Sequence, residues 1–270
     1  MRRFWIVMKA EVAKQHALSY HSSFVLVSLL VWPILGFFTV YYTYKPFSLE
    51  DAGAFGITDG RSLMVFLSTG YMAFTCFLSM VQNAWQLGWT ERQSGILDIA
   101  YLSPANRLAM VYGKALGALL QDTWMFVCFC AVIILYAGGI TVVSLLSLPL
   151  IFLILILSAT IWGGLMNTIF LFSRDAGILI TILDEPMMLF AGVRVPTLSF
   201  PIWAKVIGAV FPLSYCLVII RSVFSWSGPA QLTRPLLELL ACLGLMVALT
   251  VLSVMRAEKI NRRTGQLSLF

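Results

Sequence analysis

Apolar residues fill this chain in runs of membrane-spanning length, with charged and polar residues gathered between them. A span needs ~20 mostly apolar residues. The pattern predicts six: 24–42, 63–85, 115–135, 148–172, 176–191 and 236–255. The fifth is short and contains Asp184-Glu185-Pro186, where the proline predicts a break or kink. A further apolar run, 202–226, contains Lys205, Pro212 and Arg221. With six spans, Arg2, Arg3, Lys9, Lys14, Arg92, Arg107, Lys114, Arg174, Arg256, Lys259, Arg262 and Arg263 fall on one side. Lys45, Arg61, Arg194, Lys205, Arg221 and Arg234 fall on the other. The positive-inside rule then places both termini in the cytoplasm. A seventh span would put the basic C-terminus outside. The run 202–226 is therefore expected as a short outer re-entrant hairpin between helices 5 and 6, its backbone buried in protein or lining a cavity.

Composition fits this pattern. The 270 residues are 60% hydrophobic and 11% charged, with mean hydropathy +0.91. Soluble domains carry about 25% charged residues, so the expected class is an all-α integral membrane protein with one domain over 1–270. The N-terminus shows no signal-peptide pattern. Phe4, Trp5, Met8 and Val12 share one flank of a possible interfacial helix, which Gln15 interrupts; a plain extension of the first span fits as well. Cys76, Cys128, Cys130, Cys216 and Cys242 lie in apolar runs without metal-ligand spacing and read as small buried hydrophobes. His16 and His21 read as interfacial residues. Gly113-Lys114 lacks the rest of a phosphate loop, and neither a zinc-protease His pair nor a nucleophile elbow occurs. ATP hydrolysis for any uphill transport must come from another chain, or an ion gradient must supply the energy.

The most informative interruption is 90–104. Its apolar ridge, Ile96, Leu97 and Ile99, is flanked by Glu91, Arg92 and Asp98, all expected on the outside of a short surface helix. The ridge would supply affinity for a partner and the charges register. Gly95 allows a bend, and Ser103-Pro104 ends the helix. The alternative is a solvated loop with incidental apolar residues.

In order along the chain, Glu91, Gly95-Ile96-Leu97-Asp98, Ser103-Pro104, Arg107 and Gly113-Lys114 resemble the cytoplasmic loop of type-2 ABC exporter permeases. Ile96 and Asp98 stand where that family usually has Thr and Glu. A second resemblance lies in Gly192, Pro196, Pro201-Ile202-Trp203, Pro212-Leu213-Ser214-Tyr215 and Arg221. The resemblance implies a coupling helix built from Glu91, Arg92, Gly95, Ile96, Leu97, Asp98, Ser103, Pro104 and Arg107, seated on a nucleotide-binding ATPase subunit. It implies a second permease copy or close relative, with ATP and Mg held by the ATPase and no cofactor on this chain. It also implies a multi-pass protein of a bacterial-type inner or plasma membrane, contacting lipid and no nucleic acid.

Asp184 and Glu185 fall ~14 Å beyond Asp175 along a helix, close to the middle of a ~30 Å hydrocarbon core. Asp122 is a second intramembrane carboxyl in the third span. Such groups mark a transport path, a wet cavity or an ion pair; for Asp184 and Glu185, Arg194 and Arg221 are the alternative partners. A path lined by carboxylates favours cationic or amphipathic cargo, such as a drug, lipid or peptide. A polysaccharide or glycolipid exporter is the alternative: Pro201-Ile202-Trp203 fits that branch, but Phe211-Pro212 replaces its Asn-Pro. A secondary transporter would need an inverted repeat, and a membrane enzyme would need converging catalytic groups; neither pattern is present in the sequence.

Overall fold

The computed structural model describes residues 2–19, scattered positions between 24 and 42, and 60–96, 105–137, 142–172, 176–225 and 232–264. The described elements are all helical: α1 Arg2–Ser19, α2 Gly60–Gln93, α3 Arg107–Leu116, α4 Leu119–Ala137, α5 Val142–Phe172, α6 Ala176–Phe190, α7 Ile202–Ala209, α8 Pro212–Ser225 and α9 Thr233–Thr264. Four stretches are long and apolar enough to cross a membrane: Ser62–Glu91, Arg107–Leu135, Leu146–Ile169 and Thr233–Arg256. They contain the expected second, third and sixth spans and cover the fourth as far as Ile169. The expected first span, 24–42, lies mostly outside the described residues, and its described positions are helical.

Hydropathy located four of the spans but not their helix ends. α2 runs 34 residues, or ~51 Å, well beyond the ~30 Å of hydrocarbon. Hydrogen bonding continues through polar Gln86, Asn83 and Thr90 because nothing there opposes a helix, whereas Gly95 (φ +69) closes it as a left-handed C-terminal residue. α3 begins at Arg107, eight residues before the expected 115, because Asn106 caps it: its Oδ1 accepts the Ala109 N–H at 3.1 Å.

α6 has 15 residues, ~22 Å, too short to cross alone. It continues unbroken through Pro186, contrary to the break considered from sequence; a proline removes one ladder hydrogen bond, which neighbouring turns can absorb. The run 202–226 is two helices, α7 and α8, bent by 96° at Val210-Phe211.

α2 and α5 pack at the centre, with α3, α4, α8 and α9 around them. Phe77, Met80, Phe129, Leu155, Leu213 and Leu217 are fully buried there. In lipid this packing is held by van der Waals fit rather than by escape from water. One row of α5, Leu146, Leu150, Leu153 and Leu157, is exposed, as a lipid-facing stripe should be.

Candidate functional site

Ser79, Asn83 and Glu91 follow the four-residue ridge of α2, and that ridge locates the site. Glu91, expected on the outside of the loop, is instead only 5% exposed. The correction follows from helix length: α2 carries Glu91 past the apolar run and turns it toward α1 and α3. Its Oε1 accepts from Lys14 Nζ at 2.5 Å, and its Oε2 from Lys114 Nζ at 2.5 Å. Lys14 also pairs with Glu11 at 2.6 Å. Two carboxylates thus face two ammonium groups. Charges removed from water remain affordable only when matched and hydrogen-bonded in this way. Burial pulls the Lys14 pKa down, but its bonds to Glu11 and Glu91 outweigh that and leave it raised above 10.5.

α1 reaches this junction through a groove of small residues. Gly113 and Gly117 lie four apart, so their missing side chains leave a continuous slot. A Cβ on Gly113 would stand 2.8 Å from Glu11 Cβ, and one on Gly117 2.7 Å from Gln15 Cγ. Gln15 Nε2 donates to Asn83 Oδ1 at 2.7 Å, and Asn83 Nδ2 donates to the Ser79 carbonyl at 2.9 Å. α1 therefore turns Glu11 and Gln15 inward and leaves Trp5, Ile6 and Leu18 exposed. This inverts the arrangement of a helix on a water-soluble core.

The residues expected to form the coupling helix are only partly in view. Arg92 lies in the last turn of α2, and Ser94 donates its N–H to the Thr90 carbonyl at 3.0 Å before Gly95. Ile96 is exposed. Leu97, Asp98, Ser103 and Pro104 lie outside the described residues, and Arg107 opens α3. The Glu91–Lys114 pair joins the two helices that flank this segment.

The three carboxyls expected on a transport path separate. Asp122 is fully buried on α4 against α2, where it meets the Ser79 hydroxyl, so among the described residues it is enclosed rather than open to solvent. Asp184 is half-buried on α6, and Glu185 is exposed on a face it shares with Ile182 and Leu189. Arg221, weighed from sequence as their partner, donates from Nη1 to the Gly192 carbonyl at 2.8 Å. Its Nη2 reaches the carbonyls of Phe66 at 3.1 Å and Val193 at 3.2 Å. Its guanidinium also covers the Phe66 ring at 3.5 Å. It thereby satisfies the turn made by Gly192 (φ +85) after α6 and ties α8 to α2. Arg194 is exposed.

Lys14, Lys114, Glu11 and Gln15 did not emerge from the sequence as one site. The four-residue spacing of Gly113 and Gly117, matched by that of Glu11 and Gln15, was the available signal; pairing the two helices needed the tertiary structure. Residues 4–225 match the family model described as ABC-2 type transporter. No curated protein gives a significant match.

Proposed function

The chain belongs to the ABC-2 type transporter family and is a multi-pass membrane permease, and from that premise we propose that it is the export subunit driven by a separate nucleotide-binding ATPase. The 90–104 segment is the coupling element, with Ile96, Leu97 and Ile99 as its apolar ridge and Glu91, Arg92, Asp98 and Arg107 around it. The burial of Glu91 between Lys14 and Lys114 supports this reading. A displacement of the segment by an ATPase would be passed at once to α1, α2 and α3, because their charged ends cannot separate without leaving a buried charge unpaired. Elements that move as a unit can carry a two-state switch.

In this reading two copies, or this chain and a close relative, enclose the path, and both termini are cytoplasmic. α1 lies on the cytoplasmic membrane surface with Trp5 and Ile6 toward lipid, and the α7–α8 pair is the outer re-entrant hairpin. The cargo is amphipathic, a drug, lipid or peptide. Glu185 supports this, because a carboxylate on the apolar face of α6 is costly against lipid and tolerable beside a wet path or a cationic cargo.

The deciding experiment co-expresses the chain with its ATPase and compares wild type with Leu97→Asp. Stimulated ATP hydrolysis and transport are expected to fall together while the complex still inserts and the permease melts unchanged. Wild-type activity in that variant would remove the coupling role.

A further inference from the structure

We propose that Asp122 is a positioning residue that works as a neutral carboxylic acid, donating its proton to Ser79 Oγ and so binding α4 to α2 within the membrane. Three observations carry this.

The first is a count of protons. Ser79 Oγ lies 3.0 Å from the Cys76 carbonyl, one turn back on α2, and also in hydrogen-bond contact with Asp122 Oδ1. A serine hydroxyl has one proton and two lone pairs. A carbonyl can only accept, so both contacts are hydrogen bonds at once only when the carboxyl itself carries a proton, which leaves the Ser79 proton for Cys76. The bond to Asp122 then needs a proton from the carboxyl.

The second is depth and surroundings. Asp122 is 0% exposed and sits near the middle of the Arg107–Leu135 stretch. Among the described residues its Oδ2 is buried without a hydrogen-bond partner. Among the described residues no cation pairs with it, and Lys114, two turns before it, is held by Glu91. Among the described residues the titratable side chain beside it is the buried thiol of Cys76 on α2, itself close to Cys130 on α4. α5, at the centre of the bundle, carries no ionisable side chain. An ionised carboxylate with one hydrogen bond and no counter-charge is costly at this depth. A protonated one is not.

The third is the junction that leads into α4. Gly117 N–H bonds to Lys114 O, Ala118 N–H to Ala115 O, and Asp122 N–H to Ala118 O. The turn from α3 is tightened by these bonds, and the Asp122 N–H is engaged within its own helix rather than with a carboxylate.

The test uses the full chain in nanodiscs, by infrared difference spectroscopy at neutral pH. A carboxylic-acid carbonyl band is expected that persists in Asp184→Asn, shifts in heavy water and is missing in Asp122→Asn. Spectra of wild type and Asp122→Asn that match in the acid region would overturn the proposal. If Asp122→Asn does not assemble, Ser79→Ala decides: the acid band should move to higher frequency on losing its acceptor, and an unmoved band counts against the bond. Transport adds a second readout. Asn can still donate to Ser79, so Asp122→Asn should keep transport within about fivefold of wild type, whereas Asp122→Ala should fall clearly below it. Equal loss in both would assign Asp122 to packing alone.

Discussion

Glu91 at the end of α2 and Lys114 on α3 meet at 2.5 Å with both side chains almost wholly out of solvent. They are 23 residues apart in the chain and close the mouth of the segment between them. Because Glu91 is shared with Lys14, removing it strands the buried Lys114 and leaves Lys14 with Glu11. Glu91→Lys is therefore expected to destabilise the protein by about 3–5 kcal/mol, seen as a lower melting temperature in detergent. The exchange Glu91→Lys with Lys114→Glu should recover part of that loss. A double variant no more stable than Glu91→Lys alone would show that the pair is not energetically coupled.

The Gly113 slot yields a packing prediction. Gly113→Val should push Glu11 and Met8 outward and cost roughly 1–3 kcal/mol, as overpacking does, releasing α1. Limited trypsin digestion should then cut at Lys9 and Lys14 much faster than in wild type. Gly60→Val is the control, since a Cβ there meets nothing within 4 Å. Equal cleavage in all three proteins would contradict the docking of α1 on α3.

Lys14 sets the pH dependence of that docking. Its folded pKa is raised, so the stability it contributes is fully present below 10.5 and is lost as pH rises through the folded value. Lys14→Met should be less stable than wild type at pH 8. The gap should narrow as both are melted at rising pH above 10.5. A gap that is constant across that range would mean that Lys14 acts through packing alone.

Topology can be read by impermeant thiol labelling of engineered cysteines. Sites at Glu50 and Ala230 are expected to react in intact cells, and sites at Gln93 and Gly265 only after permeabilisation. The division of lysine and arginine motivates this. External reaction at Gly265 would turn α7–α8 into a true span.

Asp184 and Glu185 differ from Asp122 in being partly open. Replacing them with Asn and Gln keeps size nearly constant while removing charge. Transport of a cationic amphipath should drop at least about tenfold, the worth of ~1.4 kcal/mol, with little change in co-purification of the ATPase. Full transport with poor assembly would give the pair a structural role instead.

The sequence by itself determined the membrane class, four of the spans, the apolar character of 202–226 and the motifs that mark the family. Each of these depends on residues close together in the chain, through hydropathy and the conformational limits of glycine and proline. It did not show that α2 outruns the bilayer, because polar residues such as Gln86 and Thr90 end an apolar run without ending a helix. Nor did it distinguish buried from exposed charge. Glu91 in its polar segment, Asp122 in an apolar run and Glu185 beside Asp184 carry no local sign of their burial, yet one is matched by two lysines, one is enclosed against Ser79 and one is exposed. That difference depends on which helices lie alongside, and the slot at Gly113 and Gly117 that admits α1 exists only once α3 has packed. Tertiary structure decided it, because the cost of a charge depends on its surroundings rather than on its neighbours in the chain.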